Sequence, residues 1–382
     1  MVNEDVVVIG AGIAGLSAAR ALLSAGVRRV RVIEREPVPC AHSSGRNAAI
    51  FRHLSGPAGD LELALRSRAL LDELLGSEAA WLRRTGTWFA AESPEEIEPL
   101  SILADRAGLC VHRETFAGLD AAVPSLAGGT ARHGLFCEAD GVIDIHAVTQ
   151  ALLRAVTSAG GAVHFGAEVR RVEVEAGRVC GVVLDSGERI AAGALVIAAG
   201  AWAGSIGAQA GAPFPLEPRR RHLAQIETSL PLAPDSPVVW CLGDELYYRP
   251  ESGGALASPC DERPWKPELP APDEAGLLLL AEKLARIAPA LSDSSVRRSW
   301  ACLRTFAPDR AAVVGLDPRV AGLWWLAGLG GHGMTGGVAA GEVLAQRFMG
   351  LTPLVGAAIA PERCLTPPGH ARVGGAPDTA RS

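Results

Sequence analysis

Aromatic side chains are scarce in this chain of 382 residues. They make up 5% of it, and only two are tyrosines. Those two are neighbours, Tyr247 and Tyr248, so any phenol in a functional site must come from one short segment. The eight cysteines (Cys40, Cys110, Cys137, Cys180, Cys241, Cys260, Cys302 and Cys364) never stand as C-x-x-C. That spacing indicates neither a zinc site nor a disulfide framework, and free thiols suit a reducing cytoplasm, where the protein is expected. Charge of one sign does not accumulate: charged residues are 20% of the chain and the net charge is −6. A nucleic-acid partner is therefore not expected. The single basic run, Arg219-Arg220-Arg221, reads either as a solvated turn or as a group facing an anion. No stretch reaches the roughly 20 apolar residues of a membrane span, so no integral membrane segment is expected. The first apolar run, Val6 to Ile9, leads straight into glycines with no charged region or cleavage site before it, so no targeting signal is expected.

What the chain does contain is apolar bulk, 48% of residues, and 44 glycines. Its length suits two domains rather than one core. Asp5 to Ile9 has the β-branched texture of a buried strand. Gly10, Gly12 and Gly15 follow, then a helical run from Leu16 to Leu23 that should stop at Gly26. A second strand, Val30 to Ile33, ends at Glu34, with Arg35 beside it, so the segment forms one βαβ unit. Gly10-Ala11-Gly12-Ile13-Ala14-Gly15 is thus a G-x-G-x-x-G motif in the context that gives it meaning, with an acid 19 residues beyond its last glycine. Gly10 permits the tight turn, Gly12 lets backbone approach a pyrophosphate, and Gly15 lets helix and strand pack closely. The helix N-terminus then presents unpaired amides to phosphate. Glu34 can accept from ribose hydroxyls and would repel a 2′-phosphate, which disfavours NADP.

A second match, Gly331-His332-Gly333-Met334-Thr335-Gly336, lacks a following strand with a ribose-binding acid. It reads instead as a loop, from Gly328 and Gly330 onward, whose amides at the start of an Ala339–Phe348 helix face an electron-rich group. One nucleotide fingerprint and one anion-facing loop imply a single bound dinucleotide that also carries the redox chemistry, which favours FAD over NAD.

Elsewhere the pattern predicts a helix over 60–82, a mixed and loop-rich stretch over 88–136, and a helix over 147–155. It also predicts strand–turn–strand over 163–183 and a buried strand over 195–199. An antiparallel sheet with long loops is expected over 213–272, a helix over 277–287 and a strand over 323–326. The tail, 366–382, has no apolar period and is expected to be disordered.

Four segments in this order resemble the D-amino-acid oxidase-like family of flavoenzymes: the N-terminal fingerprint, His42 to Ala49, Val196 to Ala203, and Gly330 to Gly333. The resemblance covers about residues 4–350, and its nearest texture is that of D-arginine dehydrogenase, glycine oxidase and sarcosine oxidase-like members. It implies an α/β (α+β overall) fold, with a Rossmann-like FAD-binding domain and a second, mostly antiparallel β-sheet substrate domain. The implied division is 1–80, 140–210 and 300–365 for the first, and 81–139 and 211–299 for the second. It also implies oxidation of an amine C–N bond to an imine, with FAD bound non-covalently. Ser43, Ser44, Gly45, Arg46, Asn47 and Ala48 would run past the pyrophosphate and flavin ring. Val169 would meet the adenine side by its backbone, and Ala199, Gly200 and Trp202 would complete the cofactor wall.

On the substrate side, the resemblance makes Arg304, in Trp300-Ala301-Cys302-Leu303-Arg304-Thr305, the residue that holds an amino acid's carboxylate. An arginine fork suits that task because two parallel N–H bonds fix the orientation. Tyr247 matches the position that donates to the same carboxylate, while Tyr248 should face the other side of its strand and pack. Gly331 and His332 complete the candidate catalytic set, His332 through its backbone. Cys302 reads either as a covalent flavin attachment point or as a small buried thiol. Where near relatives place a histidine and a tyrosine, this chain has Ile50 and Ser55, so no side chain for a cationic substrate tail is evident. The expected partners are a small amino acid or amine and oxygen or another electron acceptor. Alternative readings are a sarcosine-type secondary amine oxidase, a flavoprotein subunit passing electrons to a partner, and an idle nucleotide-binding module.

Overall fold

The computed structural model describes residues 5–365, and the tail expected to be disordered lies outside the described residues. The N-terminal unit forms as the apolar pattern predicts: strand β1 (Asp5–Ile9), helix α1 (Ile13–Ser24) and strand β2 (Arg29–Ile33). Gly26 ends α1 at φ +94°, a conformation open to glycine at no steric cost.

β1 lies inside a six-stranded sheet in the order Val313–Leu316, Leu323–Ala327, Ala194–Ile197, β1, β2, Ala162–His164. All neighbours pair in parallel except the first two. The central strands β1, Ala194–Ile197 and Leu323–Ala327 read as apolar runs because both their faces are covered, whereas β2 alternates exposed Arg29 and Arg31 with buried Val30 and Val32. Val6, Val8, Val30 and Val32 join the core beneath α1 and the Gly333–Phe348 helix. Val7, Ile9 and Ile33 point the other way, into a core shared with the three-stranded antiparallel sheet of Val169–Glu175, Arg178–Leu184 and Arg189–Ala191.

A nine-stranded sheet forms the second layer of the molecule. Its pairings are antiparallel except for Val238–Cys241 beside Thr87–Ala91. Its longest pair sets Glu217–Glu227 against Ser295–Phe306, with Arg219 opposite Arg304 and Arg221 opposite Cys302.

Four expectations change. The last helix begins at Gly333, not Ala339. Its glycines are contact surfaces rather than loop: a Cβ on Gly336 or Gly337 would stand 3.2 Å from Leu63 and 3.4 Å from Ile13, and one on Gly341 would meet the Ser17 backbone at 2.5 Å. The 60–82 helix stops at Leu75, because Gly76 turns left-handed at φ +83°. The 88–136 stretch is ordered, with strands Thr87–Ala91, Val111–Thr115 and His133–Cys137 around a Pro94–Ala107 helix. That helix opens on a Ser93–Glu96 capping box, a signal present in the sequence. Finally, Arg219-Arg220-Arg221 lies in a strand and not in a solvated turn. Arg220 and Arg221 are buried, and Arg221 pairs with Glu262.

Candidate active site

The glycine turn is built by close approach. Gly10 sits at φ +105°, and a Cβ there would lie 2.6 Å from the Ala198 carbonyl oxygen. A Cβ on Gly15 would lie 1.8 Å from the Gly10 carbonyl oxygen, so α1 can start against β1 only with glycine at both positions. α1 has no side-chain cap and no acid in its first turn. Its first backward bond runs from Leu16 N–H to the Gly12 oxygen at 3.1 Å, and Ile13 N–H donates to Ser44 Oγ at 3.1 Å. The remaining first-turn amides form a positive concavity suited to phosphate.

Glu34 does more than the spacing rule suggests. Its Oε2 accepts from Ala11 N–H at 2.7 Å and its Oε1 from Glu36 N–H at 2.9 Å, so it braces the turn while lining the cavity. Next to it, the Arg35 guanidinium stacks 3.9 Å above the Trp202 ring.

A cavity of about 340 Å³ runs along this turn and under the nine-stranded sheet. Gly10, Gly12, Ile13, Ala14, Glu34 and Arg35 line it from the βαβ unit. Ser43, Ser44, Asn47 and Ala48 line it from the following loop, which is fixed from within. Asn47 Nδ2 donates to the Ser43 and Ser44 carbonyls, Asn47 Oδ1 accepts from Ala49 N–H, and Ser43 Oγ donates to Leu303 O at 2.6 Å. Val169, Ala199, Gly200 and Trp202 add a further wall. Gly330, Gly331, His332, Gly333, Met334 and Thr335 close another, around the uncapped start of the last helix.

Three residues assigned to the cofactor do not line this space. Gly15 faces the Gly10 carbonyl. Gly45 is packed on Cys40, where a Cβ would meet the carbonyl oxygen at 2.4 Å. Arg46 borders a separate small recess that also holds Cys302. Cys302 is buried, but it does not reach the main cavity.

The roof carries Tyr247 and Arg304, both buried and both lining the cavity. Tyr247 stacks on Trp240 with ring centroids 4.6 Å apart, and burial pushes its phenol pKa up. Tyr248 faces the opposite core, where its hydroxyl meets Ser125 Oγ at 2.6 Å. The Arg304 stem lies over Gly331, at which a Cβ would come within 3.3 Å of Arg304 Cδ. One guanidinium N–H of Arg304 donates to Cys302 Sγ at 2.8 Å, and no carboxylate among the described residues bonds it.

His332 is the N-cap residue of the last helix. Its Nδ1 lies 2.8 Å from Asp60 Oδ2 and its Nε2 lies 2.8 Å from Arg52 Nη2. A guanidinium only donates, so Nε2 must accept and the ring proton sits on Nδ1, facing Asp60. His332 is thereby a neutral link with its lone pair occupied.

Sequence reasoning missed Arg52, Trp240, Glu262, Glu245 and Arg310, all of which line the cavity; Arg221, from the basic run read as a possible anion-facing group, lines it too. Of the two departures noted from near relatives, Ile50 faces the cavity, whereas Ser55 is buried and donates to Asp60 Oδ2 at 3.0 Å.

The family model described as "FAD dependent oxidoreductase" (DAO) matches residues 5–347. The chain belongs to this family. Its cofactor is FAD, and the residues present fit it: the remaining first-turn amides of α1 beside Gly12 for the pyrophosphate, and a braced carboxylate at the end of β2 for the ribose. This DAO-family chain is 25% identical over 340 residues to the glycine oxidase of Geobacillus kaustophilus, across 85% of this chain and 87% of that one. It is also 25% identical over 363 residues to the mitochondrial pyruvate dehydrogenase phosphatase regulatory subunit of Mus musculus. That match takes in 90% of this chain but only 41% of the longer relative. Among solved structures, L-proline dehydrogenase from P. horikoshii superposes with a TM-score of 0.81 at 24% identity, over 92% of this chain and 95% of that one. Among the described residues, no helix is long and apolar enough to cross a membrane.

Proposed function

We propose that this protein oxidises the C–N bond of a small amino acid, a D-amino acid or a glycine-like one, to the imino acid. The observation that carries this reading is Arg304: a buried guanidinium facing the cavity beside Tyr247, with no carboxylate among the described residues bonded to it. Such a group calls for an anion from outside. The Arg304 fork holds the substrate carboxylate and Tyr247 O–H adds a neutral donor, which together fix the α-carbon and nitrogen in the cavity.

Oxidation takes two electrons and the α-hydrogen from carbon as hydride and a proton from nitrogen; FAD, when bound, supplies the two-electron acceptor. The imine then adds water to give an oxo acid and ammonia, and the electrons leave to oxygen or another acceptor. No base is required when the amine binds neutral, consistent with the occupied lone pair of His332. Cys302, outside the cavity, favours non-covalent FAD.

The test is anaerobic mixing of the FAD-loaded protein with glycine, D-amino acids and N-methyl amino acids, following loss of the visible flavin band. Arg304→Ala should raise KM for any reactive amino acid by about 100-fold. Reduction by the variant at wild-type substrate concentrations would refute the carboxylate-anchor reading.

A further inference from the structure

Around Tyr247 and Gly331 the cavity is lined by four arginines, Arg52, Arg221, Arg304 and Arg310, and by two acids, Glu245 and Glu262. Arg221 and Arg310 both bond Glu262. Arg304 and Arg52 bond no carboxylate among the described residues. Two guanidiniums in a cavity wall are thus left without a direct counter-charge, an arrangement that favours bound anions over bare charge. Burial acts against the Arg52 charge and lowers its pKa, in the same direction.

Arg52 is held in place rather than left loose. Its guanidinium lies 3.7 Å above the Trp240 ring, and Trp240 in turn stacks on Tyr247. One N–H is fixed on His332 Nε2, and His332 is clamped by Asp60. A guanidinium carries five N–H groups, and the bond to His332 is the one hydrogen bond of Arg52 among the described residues. The acids nearest in effect, Asp140 and Asp60, are each committed to a histidine, His53 and His332. The stem of Arg304 rests on Gly331, and Arg52 bonds His332. Gly331 and His332 are consecutive, so one short loop touches both arginine side chains, Arg304 at its stem and Arg52 at its guanidinium.

We propose that the substrate is an amino dicarboxylate, with Arg304 on the carboxylate beside the reacting carbon and Arg52 on the second carboxylate. This rests on the amino-acid oxidation reading above and specifies its substrate class. A single carboxylate would leave one of the two guanidiniums unmatched.

The test compares acid and amide pairs of nearly equal shape on the wild-type, FAD-loaded protein: D-aspartate against D-asparagine and D-glutamate against D-glutamine, with D-alanine and glycine alongside. In at least one pair the acid should show a kcat/KM about tenfold or more above its amide, the scale of one charge-assisted contact. Arg52→Leu should collapse that ratio toward one. Succinate should compete with substrate about tenfold more strongly than butyrate, which needs no variant to fold. If glycine or D-alanine reduces the flavin while neither acid exceeds its amide, this inference fails and the amino-acid reading stands. If no amino compound reduces the flavin, both fail together.

Discussion

Replacing Gly15 by alanine tests the geometry on which the cofactor site depends. The added methyl would stand 1.8 Å from the Gly10 carbonyl oxygen and 2.9 Å from its carbon. Ordinary contact begins at 3.4 Å, so α1 must retreat from β1 by roughly 1.5 Å, and interiors this densely packed do not absorb such a shift freely. Gly10 cannot yield instead: its N–H is bonded to Ile33 O at 2.8 Å, and its own Cβ position is blocked by Ala198. Overpacking of this kind costs about 1–3 kcal/mol of stability. Displacing the amides also weakens bonds to a charged phosphate worth about 1.5–3 kcal/mol each, so losing one should raise the FAD dissociation constant by about 10- to 100-fold. Titration of apoprotein with FAD by fluorescence gives the affinity, and a flavin-fluorescence melt gives the stability. Gly56→Ala is the control, because a Cβ there meets nothing within 4 Å. A Gly15→Ala protein that binds FAD within twofold of wild type would refute the argument.

Other outcomes follow from the same coordinates. Acid precipitation of the loaded protein should leave all its FAD in the supernatant, and Cys302→Ala should carry the same flavin content as wild type. Colour retained in the wild-type pellet would contradict the placement of Cys302 outside the cavity. Burial raises the pKa of both Tyr247 and Tyr248 above the ordinary 10.0, so above pH 10 the folded chain holds protons that the unfolded chain releases. That stabilisation is complete below pH 10 and is lost as pH climbs through the folded values; the drop in melting temperature between pH 9 and 11 should therefore be smaller in Tyr248→Phe. Asp140 is fully buried and accepts from both His53 N–H (2.9 Å) and His53 Nδ1 (2.7 Å). Asp140→Ala strands both donors and should cost about 3–5 kcal/mol in urea unfolding.

The parts of the fold that were legible in the sequence are those written in contiguous residues. β1, α1 and β2 announce themselves because β1, buried on both faces, is apolar nearly throughout, β2 alternates arginine with valine before Ile33, and the turn needs its glycines at fixed spacing. The start of the last helix was hidden because Gly333, Gly336 and Gly337 disfavour a helix by local propensity. Contact with Leu63 and Ile13, which no local rule reports, makes them an advantage there. The same limit applies to the roof of the cavity. Arg52 and Trp240 are 188 positions apart in the chain and meet as guanidinium over indole only once the fold is formed. Arg221 belonged to a conspicuous run, yet only the register that sets Arg219 against Arg304 turns that run inward.

The absence of a side chain at Gly341 lets the last helix rest on the Ser17 backbone of α1. The two helices whose starts border the cavity are therefore joined like the blades of one tool, and neither can swing without dragging the other. On the proposed placement of FAD along both helix starts, loosening at either end should be felt along the entire cofactor, so that FAD escapes in a single concerted event rather than by peeling from one end. A bulkier residue at this hinge, on the far side from the ligand, would open both grips at once.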